Sequence, residues 1–360
     1  MTRGCLWALL VTVLTSLVAS CASTPSATRD PVFFPAPPAQ PRLQFLTAFS
    51  SSRDFESGAS LWGTLLGEGE EGDRIIIKPH GIGPYGGGIY VCDTVQRAVI
   101  RLDFEQNSFD FFGDGVGYNV PVNCAVDPVS GNVYVTDTGR NEVVILSPEG
   151  GEIGTIPAPE ESRFTDVFVD EEAIWVADSK GSQVRVFDRV TRSEIRSFPD
   201  VEPGQPGAAG LPTYLWVTPD RVYVTDVGGF RVLEYDRDGG FIGSIGSHGD
   251  GLGQFSRPKG LAVDRSGIVY VVDAAFQNVQ MFDAEGRLLM FFGGAIESPG
   301  GMVIPADVAI DYESAKYFQS LAAPGFRIEY IVYVSNGYGP TRVNVYGFLA
   351  PVNGDAMSSE

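Results

Sequence analysis

Residues 246–293 read GSHGDGLGQFSRPKGLAVDRSGIVYVVDAAFQNVQMFDAEGRLLMFFG. A glycine-rich segment at 246–253 precedes four short runs rich in Val, Ile and aromatic residues, separated by turn sequences such as DRSG and DAEG. Runs of this kind are typical of strands joined by tight turns. The stretch therefore predicts a four-stranded antiparallel meander, with strands at 260–264, 268–273, 278–283 and 287–292. Such a small sheet cannot bury both faces alone, so it needs neighbours of the same kind.

The second strand of this meander recurs along the chain. Its copies are IYVCD at 89–93, VYVTD at 133–137, IWVAD at 174–178, VYVTD at 222–226, VYVVD at 269–273 and VYVSN at 332–336. Most copies follow one apolar run and precede another, and the period is that of four-stranded blades arranged in a ring. The sequence therefore predicts an all-β fold, a six-bladed β-propeller of four-stranded antiparallel blades.

The fifth copy also resembles a known repeat. The loop GDGLGQFSRP at 249–258, followed by GLAVD at 260–264 and VYVVD at 269–273, is similar to the NHL repeat, and the resemblance extends in degenerate form over residues 75–348. It implies the propeller fold. It does not imply one activity, because the same blades carry binding scaffolds and some enzymes.

The two ends of the propeller are predicted to meet. The sixth copy stops near residue 348 without a fourth strand, whereas residues 42–50 read as a strand that has no blade of its own. Pairing them removes two exposed sheet edges. We therefore expect a propeller at 42–350, closed by its N-terminal strand, and a disordered tail at 351–360.

The first forty residues are predicted to export and anchor the chain. Residues 1–20 have the basic and apolar regions of a signal peptide. LVASC at 17–21 resembles a bacterial lipobox, which implies acylation of Cys21, and Ala22 behind it implies the outer membrane, on its periplasmic or surface-exposed face. The alternative is an ordinary signal peptide cleaved near Ala22. Residues 21–41 are rich in proline and are expected to be an extended tether.

The charge of the chain limits its partners. The formal net charge is -20 and the isoelectric point is about 4.4. Nucleic-acid binding needs a basic face, and adsorption to an anionic membrane needs basic residues too. The sequence argues against both. The acidity mainly confers solubility, and it leaves room for a partner with a basic surface.

Six residues are candidates for the mouth of the propeller channel. They are His80 and the strand-end aspartates Asp93, Asp137, Asp178, Asp226 and Asp273. His80 begins the first strand of the first copy and could face the axis, but a histidine on the surface or in a turn is the favoured interpretation. We interpret the aspartates as turn clamps, because a carboxylate at a strand end commonly accepts hydrogen bonds from backbone amides of the next turn. Two histidines in different copies do not supply a zinc site, and the sequence has no covalent haem motif or phosphate loop. No metal, cofactor or catalytic residue is therefore predicted.

Two cysteines remain after removal of Cys5 and lipidation of Cys21. Cys92 and Cys124 lie in neighbouring copies of the repeat. A disulfide between them suits an oxidising compartment, and two separately buried thiols suit a protein core equally well.

Three segments interrupt the repeat. Residues 54–74 include Trp62 and an acidic run, and we expect a capping loop with one helical turn. Residues 199–210 are rich in proline and glycine. Residues 312–327 have the spacing of a short helix. Loops on a fixed scaffold commonly carry binding functions, and a divergent turn without a role is the alternative.

These observations predict an outer-membrane lipoprotein that acts as a non-catalytic protein-binding scaffold. The pattern PRLQFL at 41–46, leading to SSRD at 51–54, resembles NHL lipoproteins that accompany exported multihaem cytochromes. The resemblance implies a basic exported cytochrome as partner, or an envelope complex. Two alternatives stand beside it. One is a metal-dependent hydrolase, similar to lactonases, or a lyase with its site at the channel mouth. The other is a binder of envelope glycan or peptide.

Overall fold

The computed structural model describes residues 30–55, 73–294 and 299–352. Within these ranges the chain forms five four-stranded sheets and one five-stranded sheet, all antiparallel. This confirms the predicted all-β, six-bladed propeller. The innermost strands of neighbouring blades contact one another around the whole ring, including the contact between the last blade and the first.

Blades 1 to 5 each consist of four consecutive strands that follow one another from the axis outward. In blades 1 and 2 they are β3 Pro79–Tyr85, β4 Gly88–Asp93, β5 Ala98–Asp103, β6 Ser108–Phe112, β7 Pro121–Val126, β8 Val133–Asp137, β9 Glu142–Leu146 and β10 Glu152–Pro157. In blades 3 to 5 they are β11 Phe164–Val169, β12 Ala173–Asp178, β13 Gln183–Asp188, β14 Glu194–Phe198, β15 Pro212–Val217, β16 Arg221–Asp226, β17 Arg231–Asp236, β18 Phe241–Ile245, β19 Pro258–Val263, β20 Val269–Asp273, β21 Asn278–Phe282 and β22 Leu288–Gly293.

Burial explains why the second strand is the clearest repeat in the sequence. Strands β4, β8, β12 and β20 are buried at every residue, because neighbouring blades cover both of their faces. The outermost strands β14 and β18 are mostly exposed. A strand covered on both faces needs a continuous apolar run. Such a run is easier to recognise in a sequence than the alternation of apolar and polar residues in an edge strand.

Blade 6 joins the two ends of the chain. Its strands, from the axis outward, are β23 Pro305–Asp311, β24 Phe326–Asn336, β25 Val343–Pro351, β2 Leu43–Phe49 and β1 Val32–Phe34. Strand β2 pairs with β25 in antiparallel register, with Leu43 opposite Phe348 and Phe49 opposite Val343. The prediction that the N-terminal strand closes the ring is confirmed.

Strand β1 differs from the expectation for residues 21–41. The composition of that segment predicts an extended tether, but Val32–Phe34 is a fifth strand of blade 6 and pairs with β2. Its aromatic residues supply the physical reason. The Phe33 ring lies 6.1 Å from that of Phe326, and the Phe34 ring lies 6.0 Å from that of Tyr346, centroid to centroid. These apolar contacts outweigh the preference of the flanking prolines for an extended, unpacked chain.

Part of the sequence lies outside the described residues, and several predictions fall there. They concern the signal peptide at 1–20, Cys21, most of the tether, Trp62 and most of the capping loop, and the tail beyond residue 352. Before that loop the chain forms one helical turn, α1 Ser52–Phe55. Within the described ranges, no helix has the length and apolar character needed to cross a membrane.

The insertion in blade 6 is packed against the propeller. It contains the one-turn helix α2, Ala315–Phe318, and a 3₁₀ turn, Gln319–Leu321, so the predicted short helix is present. Phe318 is buried in the core. Gln44 of β2 holds the insertion, because its Nε2 donates to the carbonyl of Leu321 at 2.8 Å and its Oε1 accepts from the amide of Ala323 at 2.9 Å.

Candidate functional site

The strand-end aspartates are hydrogen-bonded to the backbone rather than directed into the channel. Asp93 Oδ2 accepts from the amides of Ile77 and Lys78, at 2.6 and 2.9 Å. Its Oδ1 accepts from the amides of Val95 and Gln96, at 3.0 and 2.9 Å. The carboxylate thus ties the segment that enters the first strand of the blade to the turn that follows the second strand.

The equivalent residues of the next four blades repeat this arrangement. All four are fully buried: Asp137, Asp178, Asp226 and Asp273. Each accepts hydrogen bonds from backbone amides of the segment that enters the blade and of the turn that follows the second strand. Asn336 holds the corresponding position in blade 6 and accepts from the amide of Val303 at 3.2 Å. These are the hydrogen bonds of a turn clamp. The channel contains two cavities along its axis, and none of the five carboxylates lines either of them.

The third residues of the six innermost strands form a narrow layer across the channel, which we call the waist. They are Gly81, Asn123, Asp166, Tyr214, Gly260 and Asp307. A Cβ at Gly81 would collide with Asn123, and a Cβ at Gly260 would collide with Asp307. Small residues thus lie next to large ones in this layer. The two glycines therefore make room for polar side chains of the neighbouring blades.

The polar waist residues connect one blade to the next. Asn123 Nδ2 donates to Asp166 Oδ1 at 2.5 Å, and Asp166 Oδ2 accepts from the amide of Leu215 at 2.7 Å. Asp307 Oδ2 accepts from the amide of Ile82 at 2.9 Å, which joins blade 6 to blade 1. Hydrogen bonds between blades at the axis hold the ring in register.

Burial changes the protonation of the two waist carboxyls. Desolvation raises the pKa of Asp307 from its ordinary value of 3.8 to about 7. It also raises the pKa of Asp166 well above 3.8, and the charge of Asp307 adds to that effect. A carboxyl whose charged form is desolvated holds its proton more tightly. At mildly acidic pH we therefore expect Asp307 to be protonated.

On one side of the waist lies a cavity of about 260 Å³, which we call the cup. His80 and Tyr214 lie at its base, from opposite blades. Tyr214 Oη lies 3.2 Å from His80 Nε2, and the two rings are stacked with centroids 5.9 Å apart. Burial and the nearby charges of Lys259 and Lys78 lower the pKa of His80 to about 3, so the imidazole is neutral at pH 7.

The cup also concentrates positive charge. Lys259 and Arg257 of blade 5 line it, and the charge of Lys78 acts on both His80 and Lys259. Desolvation, followed by repulsion from Arg257 and Lys78, lowers the pKa of Lys259 to about 8. Among the described residues, no carboxylate lies within 4.0 Å of these three cations.

On the other side of the waist lies a larger cavity of about 530 Å³, which we call the funnel. Its walls are largely apolar and include Phe168 and Trp216, whose rings meet edge to face with centroids 5.3 Å apart. Its rim carries Glu171 and Glu172, both exposed, and Arg237, which pairs with Glu172 at 2.8 Å. The funnel thus combines an aromatic wall with an acidic edge.

The two cysteines lie in the core between blades 1 and 2. Both thiols are free and buried, and Cys124 Sγ lies 3.8 Å from the carbonyl oxygen of Tyr90. Burial raises the pKa of the Cys92 thiol well above its ordinary value, with a further contribution from Cys124. The Cys92 thiol therefore lacks the lowered pKa of a reactive cysteine.

The channel residues suit anions better than metal cations. In the described part of the chain, no three His, Cys, Asp or Glu side chains converge as a set that could hold a metal ion. Asp166 and Asp307 sit in the waist on different blades, each hydrogen-bonded to backbone amides. The cup supplies instead a neutral imidazole, a phenol, three threonine hydroxyls and two cations.

Of the six predicted site residues, the structure brings only His80 into the channel. Sequence reasoning missed its neighbours Tyr214, Lys259 and Arg257, and the waist carboxyls Asp166 and Asp307. Their identities change from blade to blade, so no repeated residue marked them. Alignment of the six first strands on their third residue, which reads G, N, D, Y, G and D, would have revealed the layer.

The comparisons with known proteins agree with this fold. No family model matches the chain. NHL repeat-containing protein 3 of Homo sapiens is 26% identical over 213 residues, which cover 53% of this chain and 58% of that protein. The mouse protein of that name is also 26% identical, over 220 residues. The chain therefore spans less than two thirds of the length of these curated relatives.

Solved structures resemble the chain at lower identity. A gluconolactonase from Xanthomonas campestris has a TM-score of 0.56 and 16% identity, covering 86% of this chain and 90% of its own. A structural-genomics protein of unknown function from Bacteroides thetaiotaomicron has a TM-score of 0.56 and 17% identity, covering 77% and 70%. Likeness at such identities shows the fold alone. The chain carries an NHL-type six-bladed β-propeller.

Proposed function

We propose that the protein is a non-catalytic binding propeller of the cell envelope, which docks a basic protein surface on the face around the funnel. The acidic rim of that funnel carries the proposal. The turns on this face expose carboxylates in four successive blades, at Glu149, Glu171, Glu172, Asp220, Asp238 and Glu285. Three of them, Glu172, Asp220 and Glu285, pair with neighbouring arginines. An acidic patch steers a basic partner toward itself and fixes its orientation.

The aromatic wall of the funnel adds a second element of recognition. Trp216 and Phe168 lie below the acidic rim, within a cavity open at that face. Buried aromatic anchors surrounded by a polar rim are the usual composition of a protein-binding surface. The resemblance to lipoproteins that accompany exported multihaem cytochromes supports a basic c-type cytochrome as the partner.

The state of the carboxylates favours binding over metal-dependent hydrolysis. The five strand-end aspartates are occupied by backbone amides, and the waist carboxyls are occupied by amides of neighbouring blades. A hydrolytic metal centre needs about three ligands that converge on one ion. Rebuilding the clamps to supply them would release buried backbone amides, which is costly.

A matched pair of charge reversals tests the docking face. Glu171 and Glu172 follow β11 on the funnel side, whereas Glu160 and Glu161 precede the same strand on the cup side, and all four are exposed. Binding of a basic c-type cytochrome to the full chain is measured by calorimetry at low and high salt. We expect the Glu171→Lys, Glu172→Lys double variant to lose about tenfold in affinity at low salt, and the Glu160→Lys, Glu161→Lys variant to bind like the wild type.

Two results would contradict the docking proposal. One is equal loss in the two double variants, which would show that only the net charge matters. The other is equal binding of lysozyme, a basic protein without haem, which would show that the face does not discriminate among basic surfaces. Saturable binding of peptidoglycan fragments without turnover, combined with no cytochrome binding, would favour the glycan or peptide binder instead.

The anchor is proposed from the sequence. Acylation of Cys21 would attach the propeller to the outer membrane through the residues that precede β1. Metabolic labelling with an alkynyl palmitate tests this in an expressing bacterium. We expect the label on the wild type and its loss in Cys21→Ser, together with release of the protein from the membrane fraction. Unlabelled wild-type protein would show an ordinary signal peptide instead.

A further inference from the structure

The cup on the side of the channel opposite the funnel has unbalanced positive charge in an otherwise acidic protein. The chain has a formal net charge of -20, and ten of its described arginines pair with carboxylates. Lys78, Arg257 and Lys259 do not, although all three act on one cavity of about 260 Å³. Mutually repelling cations without counter-charges are unfavourable unless something else stabilises them.

We propose that the cup binds a small oxyanionic ligand, a molecule bearing one carboxylate or phosphate group, through the cations Lys259 and Arg257 and the threonine hydroxyls of its lining. This site lies on the opposite side of the waist from the docking face, so its occupation is independent of the proposed function.

The polar lining of the cup matches an oxyanion. Tyr214 is 5% exposed and lies at the base of the cup. Because His80 Nδ1 donates to the carbonyl of Val122, the Tyr214 hydroxyl donates to His80 Nε2, and the threonine hydroxyls are the donors left for a ligand. The hydroxyls of Thr138, Thr165 and Thr213 contact backbone carbonyls only at 3.4 to 3.5 Å, so each is free to turn toward a ligand at little cost. Charged nitrogens and hydroxyl donors around one small cavity are the groups that hold carboxylate and phosphate oxygens.

The size and the electrostatics restrict the ligand further. A cavity of about 260 Å³ is smaller than the usual pocket for a drug-sized ligand, so the anion has a short body. The neutral His80 faces the same space and neither repels nor attracts the ligand strongly. Asp307 lies in the waist beneath the cup, and its negative charge partly offsets the lowering of the pKa of Lys259.

Thermal unfolding of the full chain at pH 7 tests the proposal. The probes are inorganic phosphate and acetate, each compared with sodium chloride at equal ionic strength. We expect saturable stabilisation by at least one of them, and which one distinguishes a phosphate ligand from a carboxylate ligand. Titration calorimetry then gives the affinity. We expect Lys259→Met and Arg257→Gln each to weaken it about ten- to a hundredfold, the range for losing a hydrogen bond to a charged group.

Control variants separate the site from the overall charge. Lys180→Met removes an exposed lysine that pairs with Glu161 outside the cup, and Arg287→Gln removes an exposed arginine of blade 5. Both should bind the probe like the wild type. Arg257 is exposed at the rim, so Arg257→Gln serves as the variant that folds should Lys259→Met fail to do so.

Protonation gives a readout that needs no variant. The groups that face Lys259 are Arg257, Lys78, His80, Tyr214 and Asp307. Desolvation, together with repulsion from Arg257 and Lys78 and partly offset by Asp307, lowers its pKa to about 8. An anion in the cup raises that pKa, so binding at pH 8 takes up protons and weakens as the pH rises further. Absence of saturable stabilisation by both probes, equal affinity of the wild type and the two cup variants, or binding without proton uptake at pH 8 would overturn the proposal.

Discussion

Each strand-end aspartate stabilises two backbone segments through one carboxylate. Asp273 accepts from the amides of Ser256 and Arg257 before the first strand of its blade, and from those of Ala275 and Phe276 after the second. The aspartate itself is fully buried. A single residue therefore fixes both the entry to the blade and its first outer turn.

Replacement of Asp273 should be strongly destabilising. Asp273→Ala leaves four backbone amides without their acceptor, and we expect a loss of about 3 kcal/mol in the free energy of unfolding. Urea unfolding measures it. Asp250→Ala, an exposed loop residue of the same chain, is the control and should change stability by less than about 0.5 kcal/mol. An equally small effect of Asp273→Ala would show that the clamp is dispensable.

The pH dependence of stability should reveal the buried carboxyl of Asp307. Its pKa is about 7 in the folded protein and 3.8 in the unfolded chain. The folded state thus holds the proton more tightly, so this contribution to stability is complete below pH 3.8 and is lost as the pH rises through about 7. His80 acts in the opposite direction, because its lowered pKa removes stability as the pH falls from 6.5 toward about 3.

The variant Asp307→Asn isolates the carboxyl from the histidine. Relative to wild type, we expect the variant to gain stability between pH 4 and pH 7, by up to about 4 kcal/mol, since one pKa unit corresponds to about 1.4 kcal/mol. Urea unfolding of both proteins at the two pH values measures the difference. If the difference between the two proteins stays constant, Asp307 does not have a raised pKa.

Among the elements, the ring-closing strand β2 links both ends of the chain to the insertion of blade 6. Gln44 is 5% exposed. Its side-chain amide forms hydrogen bonds with two backbone groups of the insertion, the carbonyl of Leu321 and the amide of Ala323. We expect Gln44→Ala to cost about 2 kcal/mol, because it leaves the buried amide of Ala323 without its acceptor and the carbonyl of Leu321 without its donor. It should also open residues 312–325 to limited proteolysis.

Thr47→Ala is the matched control for Gln44 on the same strand. Thr47 lies opposite Val345 in the β2–β25 pair and is only partly buried. We expect it to leave the insertion resistant to protease. Cleavage of the insertion at the same rate in both variants would show that Gln44 does not hold it.

The elements also show what can be inferred from sequence and what cannot. The second strands are buried on both faces, so they repeat as continuous apolar runs and reveal the number of blades. Strand β1 was missed because prolines flank it, and its pairing depends on aromatic contacts with Phe292 and Tyr346 from distant parts of the chain. The cup and the waist were missed for a similar reason, since each residue there fits its neighbour in another blade rather than its own repeat.

At the scale of the whole molecule, the charges of the channel are divided between its two ends. The cup holds cations without ion pairs among the described residues, whereas the rim of the funnel holds Glu171, Glu172 and Arg237, which pairs with Glu172. A layer of buried polar side chains lies between the two ends. We therefore assign a small anion to one end and a basic protein to the other. Neither end supplies a converging set of carboxylates and imidazoles in the described part of the chain.

The metal content of the full chain, purified without chelator, tests the assignment of a binding propeller most directly. Elemental analysis should find no transition metal, calcium or magnesium in stoichiometric amount, because the channel carboxylates are engaged by backbone amides and the cup repels cations. One tightly bound metal per chain, lost in His80→Ala or in Asp307→Asn, would contradict that assignment. It would place a metal centre at the axis and favour a hydrolase or lyase over a binding propeller.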